Sequence, residues 1–90
     1  MKRFYIVFKG RVQGVGFRWT LCIISQKYNL TGYCRNLLNG DVEVEIQGNS
    51  DNIEAFLKEI LSNKGYIRID DYAIKNIDLV EKETNFKVIS

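Results

Sequence analysis

The segment of this chain best suited to chemistry is residues 10–18, with the sequence GRVQGVGFR. Its three glycines and final arginine lie between a strand-like alternation and a helix-like pattern of apolar residues. Glycine permits a positive φ and lets backbone amides face a ligand, and the start of a helix carries partial positive charge. Arg18, in the first helical turn, adds a planar set of donors that fits phosphate oxygens. The pattern therefore predicts an anion cradle, with phosphate as the expected ligand.

Apolar periodicity predicts the two elements that hold this segment. The preceding strand should bury one face, formed by Phe4, Ile6 and Phe8. The following helix should have an apolar stripe at steps of four, three and four residues, formed by Phe17, Leu21, Ile24 and Tyr28. Asn29 tolerates the left-handed conformation, so we expect it to stop this helix.

The next part of the sequence predicts a β-hairpin with one solvated face. Residues 30–36 form a strand-like run, and Asn39-Gly40 is typical of a two-residue type I′ turn. Apolar and polar residues then alternate through the third strand, in which Val42, Val44 and Ile46 form the apolar face.

A second helix and two more strands complete the pattern. Asp51 and Glu54 have the spacing of a capping box at the start of this helix, and Lys64-Gly65 is expected to close it. The apolar residues of the fourth strand change parity, which predicts a bulge near Lys75-Asn76. Residues 86–89 form a short last strand.

The order βαββαβ, with an extra C-terminal strand, predicts a ferredoxin-like α+β sandwich formed by a single domain over residues 1–90. Two helices should pack on one face of a mostly antiparallel sheet. A right-handed crossover makes the first two strands parallel, so their C-terminal ends lie at one edge of the sheet. Because the glycine loop follows the first strand and Asn36 ends the second, we expect the loop, Arg18 and Asn36 to converge, with the third strand between.

Composition excludes several classes of function. The net charge is +2 with 27% charged residues and no long block of like charge, which argues against a nucleic-acid arm or a membrane-surface helix. No apolar run approaches the ~20 residues of a membrane span, and the N-terminus does not resemble a signal sequence. We expect a cytoplasmic protein, monomeric, with no nucleic-acid or membrane partner.

Metal and imidazole chemistry are not expected. The chain has no histidine, and its two cysteines, Cys22 and Cys34, are too few for a zinc site. We expect both to be reduced and buried, one on a helix and one on a strand. Without histidine, Ser-His and Cys-His nucleophiles are also excluded.

Two blocks of the sequence resemble the acylphosphatase family. Residues 10–18 match its phosphate-binding signature, G-x-V-Q-G-V-x-F-R. Residues 30–36 (LTGYCRN) and 39–43 (NGDVE) resemble its L-x-G-W-V-x-N and D-G-x-V-E segments. Tyr33, Cys34 and Asn39 stand where the family usually has tryptophan, valine and aspartate.

This resemblance implies hydrolysis of an acyl phosphate to a carboxylate and inorganic phosphate, without a metal or other cofactor. It implies that Arg18 and Asn36 are catalytic, Arg18 by binding the phosphoryl group and Asn36 by orienting the attacking water. The implied phosphate-binding residues are Gln13, Gly14, Val15, Gly16, Phe17 and Arg18. The partners are then a small-molecule acyl phosphate and, as product-like ligands, inorganic phosphate or sulfate. A carboxylate leaves without protonation, so a chain without histidine suits this reaction.

Each signal also has a simpler interpretation. A glycine loop is found in tight strand-to-helix connections without a ligand, and an asparagine such as Asn36 often bonds its own backbone before a hairpin. Trp19, beside Arg18, is interpreted as a packing residue rather than part of an acyl pocket. The main rival function is a binding module, because similar domains begin larger carbamoyl-transferring maturation proteins. RNA binding is disfavoured, since the aromatic motif of RNA-binding ferredoxin-like sheets is absent.

Overall fold

Seven elements follow one another in the computed structural model of this protein, which describes residues 1–62 and 65–89. They are β1 (Lys2–Arg11), α1 (Phe17–Lys27), β2 (Thr31–Asn36), β3 (Val42–Gly48), α2 (Ser50–Leu61), β4 (Arg68–Ile77) and β5 (Phe86–Ile89). This is the predicted order βαββαβ with an additional C-terminal strand. No helix of the described residues has the length and apolarity needed to cross a membrane.

The strands form one mixed sheet in the order β4-β1-β3-β2-β5. β3 is antiparallel to both β1 and β2, so β1 and β2 run parallel to each other, as predicted. Phe8 of β1 lies opposite Val42 of β3, which in turn lies opposite Asn36 of β2. The C-terminal ends of β1 and β2 therefore meet at one edge of the sheet, and β5 adds a parallel strand beside β2.

Both helices pack on one face of the sheet, and the apolar stripes predicted from the sequence form the core between them. α1 contacts β2 and β5, and α2 contacts β3. Fully buried core residues come from β1, β2, β3 and both helices, among them Ile6, Phe8, Phe17, Leu21, Cys34, Val44, Ile46, Phe56 and Ile60. The rings of Phe8 and Phe17 meet edge to face at 5.3 Å, which fixes the start of α1 above the end of β1. The ferredoxin-like sandwich is thereby confirmed.

The bulge expected near Lys75-Asn76 lies elsewhere. β4 pairs with β1 in one register from Ile77 to Asp71, and the register shifts between Lys9 and Gly10. A Cβ at Gly10 would collide with the carbonyl oxygen of Arg68, so glycine is required there. The parity argument failed because β4 is an edge strand with almost all of its residues exposed, so alternation does not decide which side chains are buried.

The hairpin turn also differs from the prediction. The amide of Leu37 donates to Asp41 O at 2.8 Å, and the amide of Gly40 donates to Leu37 O at 3.2 Å. Gly40 has a φ of 98°, whereas Asn39 does not have the positive φ that a type I′ turn needs at both central residues. The loop is instead a three-residue loop with glycine in the left-handed position. Asn39 Oδ1 accepts a hydrogen bond from the Asp41 amide at 3.0 Å, which fixes this geometry.

The helix ends agree with the sequence at α1 and differ at α2. α1 ends at Lys27 with Tyr28 as its C-cap, and the next residue, Asn29, has the predicted left-handed conformation with a φ of 56°. α2 is capped by Asn49, whose Oδ1 accepts from the Asp51 amide at 2.9 Å, so the expected Asp51–Glu54 capping box is wrong. α2 ends at Leu61; Gly65 has a φ of 102°, and Lys64 lies outside the described residues.

Candidate active site

The loop between β1 and α1 exposes backbone rather than side chains. Gly14 and Gly16 have φ values of 72° and 79°, and Gly16 is the N-cap of α1. A Cβ at either glycine would meet no atom within 4 Å, so this backbone faces open space. Val12 is buried and anchors the start of the loop. Val15, between the two glycines, packs against the core and anchors the middle of the loop. The sequence folds this way because only glycine adopts a positive φ at little cost.

The start of α1 presents free donors. The first backbone hydrogen bond of the helix is donated by the Thr20 amide to Gly16 O at 3.0 Å. Within the described residues, the amides of residues 14–18 donate to no acceptor. No side chain caps the helix and no acidic residue lies in its first turn. No group of the described residues therefore neutralises the partial positive charge of this helix end. An anion is the ligand that it favours.

Arg18 and Asn36 line the same cavity, which has a volume of about 350 Å³. The lining residues are Val12, Gly14, Gly16, Phe17, Arg18, Trp19, Asn36 and Val88. Arg18 is the single charged residue among them, and its Nη1 donates to Ile89 O of β5 at 3.3 Å. Asn36 is exposed at the end of β2, and its side chain has no hydrogen bond to the part of the chain that the structure describes. The predicted convergence of loop, Arg18 and Asn36 is present.

Gln13 and Val15, by contrast, do not have their side chains in the cavity lining. Gln13 Nε2 donates to Leu37 O and to Asp41 O, both at 2.8 Å. These bonds tie the loop to the turn between β2 and β3, so the side chain of Gln13 positions the loop. Val15 packs against the core. Any contact of these two residues with a bound anion is therefore limited to their backbone amides.

Cys34 lies beneath this site without exposed surface. Its Sγ is 3.9 Å from Arg18 O. Burial raises the pKa of the Cys34 thiol to about 12, although the positive charge of Arg18 opposes the shift. The thiol is neutral at physiological pH and does not act as a nucleophile there. Both cysteines are free, as predicted, but Cys22 is only half-buried.

Comparison with known proteins identifies the family. The family model described as acylphosphatase matches residues 4–88. The chain belongs to the acylphosphatase family. It is 38% identical over 88 residues to an acylphosphatase from Clostridium beijerinckii, with 98% of each sequence covered. The crystal structure of acylphosphatase from Bacillus subtilis is similar with a TM-score of 0.93 at 26% identity, and 100% of both chains is covered.

The acylphosphatase fold also matches part of a longer protein. The crystal structure of HypF from T. kodakarensis has a TM-score of 0.88 and 34% identity to this chain. That match covers 100% of this chain and 12% of the HypF chain. The same architecture is therefore found both in proteins of about this length and within a larger one.

Two apolar residues of this acylphosphatase-family site were not identified from the sequence. Trp19 lines the cavity with 68% of its surface exposed, so its interpretation as a packing residue is wrong. Its position offered a signal, because Trp19 falls off the stripe of Phe17, Leu21 and Ile24. Val88 lies on β5, and no sequence signal shows that parallel pairing with β2 brings it to this site.

Proposed function

We propose that this protein is an acylphosphatase that hydrolyses acyl phosphates to a carboxylate and inorganic phosphate, without a metal or other cofactor. One observation carries the proposal. A single cavity combines the guanidinium of Arg18 with loop amides and an Asn36 side chain that have no hydrogen-bond partner among the described residues. Such a set can hold a phosphoryl group and place a water beside it.

The phosphate cradle is formed by the amides of residues 14–18 and the side chain of Arg18. Backbone amides at a helix start and a planar guanidinium both donate to non-bridging phosphate oxygens. These donors are fixed before the reaction, because Val12, Phe17 and the Gln13 bonds hold the loop in place. Preorganised donors stabilise the charge of the transferring phosphoryl group in the transition state.

Asn36 is assigned to the attacking water. Its carbonyl can accept a hydrogen bond from water while its NH₂ donates to a neighbouring oxygen, and the amide stays neutral with pH. Among the residues that the structure describes, the cavity lining has no carboxylate, imidazole or thiolate. The departing carboxylate needs no proton, so positioning and charge stabilisation are sufficient for this reaction. We further propose that the enzyme acts as a cytoplasmic monomer on a small-molecule substrate.

A phosphate-binding module is the second candidate, and the similarity to part of HypF favours it. Incubation of the purified protein with benzoyl phosphate in the presence of EDTA separates the two. We expect catalytic release of benzoate and inorganic phosphate at a rate that EDTA does not change. Binding of inorganic phosphate without turnover would favour the module. Loss of activity with EDTA, restored by a divalent cation, would contradict the metal-free mechanism.

A further inference from the structure

The exposed indole of Trp19 pairs with no other aromatic ring among the residues that the structure describes. It follows Arg18 directly on α1, and 68% of its surface is in solvent. Aromatic side chains supply large apolar contact areas, so an exposed indole in the lining of a cavity can contact the apolar part of a ligand. Trp19 lines the cavity but takes no part in the proposed phosphate cradle, so its role in this site is still to be explained.

The lining of the cavity divides into two chemical groups. Gly14, Gly16, Arg18 and Asn36 supply polar groups suited to a phosphoryl group and water. Among the apolar lining residues, Val12 and Phe17 are almost completely buried, whereas Trp19 and Val88 expose 68% and 44% of their surfaces. The apolar surface available to a ligand in this cavity therefore comes from Trp19 of α1 and Val88 of β5.

The cavity is also larger than a phosphoryl group needs. A water molecule has a share of about 30 Å³ in the liquid, and a phosphoryl group is only a few times larger. Most of the 350 Å³ is left for the rest of the substrate. In an acyl phosphate, the acyl group is joined to phosphorus through the bridging oxygen, so it must leave the cradle on the open side.

The structure holds Val88 close to the same guanidinium. Val88 lies opposite Cys34 in the parallel pair of β5 and β2, and so faces the helix layer. The next residue, Ile89, accepts the hydrogen bond from Arg18. The bond from Arg18 to Ile89 and the pairing of β5 with β2 therefore hold Val88 beside the phosphate cradle.

We propose that Trp19 and Val88 form an acyl subsite that selects acyl phosphates with a flat apolar acyl group over those with a small one such as acetyl. This inference rests on the proposed acyl phosphate hydrolysis. A planar ring can stack on the indole face while Val88 contacts its edge. Aromatic pairing of this kind corresponds to a preference of about 3- to 10-fold.

The test compares kcat/KM for benzoyl phosphate and acetyl phosphate in the wild type, Trp19→Ala and Trp19→Phe. We expect the benzoyl-to-acetyl ratio to fall about 3- to 10-fold in Trp19→Ala and to return largely in Trp19→Phe. Ile23→Ala is the matched control, because Ile23 lies one turn further along α1, is 48% exposed and does not line the cavity. Its ratio should equal that of the wild type.

A second readout does not depend on turnover. Trp19 is the one tryptophan of the chain, so its fluorescence reports on this subsite alone. A non-hydrolysable phosphonate analogue of benzoyl phosphate should change the emission more than the acetyl analogue does. An unchanged ratio in an active Trp19→Ala variant, or equal fluorescence responses to both analogues, would overturn the subsite. Hydrolysis of neither substrate by the wild type would overturn the proposed function instead, and the fluorescence comparison would still decide the subsite.

Discussion

Arg18 carries a positive charge and is tied to β5 by a hydrogen bond. Within the described part of the chain it is the charged member of the cavity lining, and Ile89 O occupies one of its guanidinium nitrogens at 3.3 Å. A guanidinium has five N–H donors, so most of them stay available for a ligand. The residue is only partly buried and contributes little to the core.

Arg18→Ala is therefore expected to remove phosphate binding and turnover while the protein stays folded. Its effect on unfolding free energy should be about 0.5 kcal/mol, as for other surface substitutions. Ile60→Ala, at a fully buried position of α2, should cost about 2–5 kcal/mol and serves as the stability reference. Inhibition by inorganic phosphate, kcat and urea unfolding are measured on the same preparations. Wild-type kinetics in a folded Arg18→Ala variant would refute the cradle.

Asn36→Ala should separate catalysis from binding. Because the amide is assigned to the water and not to the phosphate oxygens, we expect kcat to fall by roughly 10²-fold or more with little change in the phosphate inhibition constant. Asn39→Ala is the control, since Asn39 Oδ1 bonds the Asp41 amide in the adjacent turn. That variant should lose about 0.5–1.5 kcal/mol of stability and keep its specific activity. The reverse result, a destabilised but fully active Asn36→Ala protein, would assign Asn36 to the turn.

The sequence predicted the residues of the site better than the directions of their side chains. Arg18 and Asn36 were placed together because strand order alone determines which strand ends meet. Gln13 matches the family signature as well as its neighbours do, yet its side chain bonds the backbone of residues 37 and 41. Trp19 was assigned to packing although it is exposed. Side-chain direction depends on contacts with distant elements, which a motif does not contain.

At the scale of the element, the loop between β1 and α1 works through its conformation. Gly16 has a φ of 79°, and in the left-handed region a residue with a Cβ costs roughly 1–2 kcal/mol. A substitution there also reorients amides that the proposed function assigns to phosphate. Stability and binding should therefore both change.

Gly16→Ala and Gly65→Ala form a matched pair for this loop. Gly65 has a φ of 102° and does not line the cavity; as at Gly16, a Cβ there would meet none of the described atoms within 4 Å. Both variants should lose about 1–2 kcal/mol of unfolding free energy. Only Gly16→Ala should also raise the inhibition constant of inorganic phosphate. Equal phosphate inhibition in the two variants would mean that the loop amides do not bind the anion.

Buried elements were easier to predict than exposed ones. β1 and α1 followed from periodicity because one face of each packs in the core, as Ile6 and Leu21 show. On β4 the same reasoning misplaced the bulge, since Tyr72 and Ile74 are 37% and 45% exposed and their positions are not determined by the core. The spacing of apolar residues reflects which side chains are buried. An edge strand buries few side chains, so this spacing predicts its structure poorly.

At the scale of the molecule, a polar network on the helix-free face positions β5. β4 and β5 lie at opposite edges of the sheet, so residues 78–85 must cross it. Arg3, 2% exposed, donates to Glu45 at 2.8 Å and to Glu83 of this crossing segment at 2.7 Å. Gln47 holds the same segment through both backbone groups of Val80. The sequence could not predict these pairs, because Arg3 and Glu83 are 80 residues apart.

Because Glu83 of this network is titratable, the free energy of unfolding should depend on pH. Burial alone would raise the pKa of Glu83, but hydrogen bonding to Arg3 and Thr31 and the positive charges of Arg3 and Lys87 outweigh it, so the net shift is downward from the ordinary value of 4.5. A carboxyl group with a lower pKa in the folded state stabilises the protein above its unfolded-state pKa. That contribution is lost as the pH falls below 4.5 and through the folded-state pKa.

Glu83→Gln should therefore destabilise the protein near neutral pH by about 1.5–3 kcal/mol, the range for hydrogen bonds to charged groups. The difference from wild type should shrink as the pH falls below 4.5, because the wild-type carboxyl then also becomes neutral. Urea unfolding across a pH series measures this, with Glu54→Gln, an exposed position on α2, expected to follow the wild type. Because Glu83 holds the segment that delivers Val88 and Ile89 to the cavity, the variant should also raise KM for benzoyl phosphate. A constant stability difference across the series would show that the Arg3 pair does not set the pKa of Glu83.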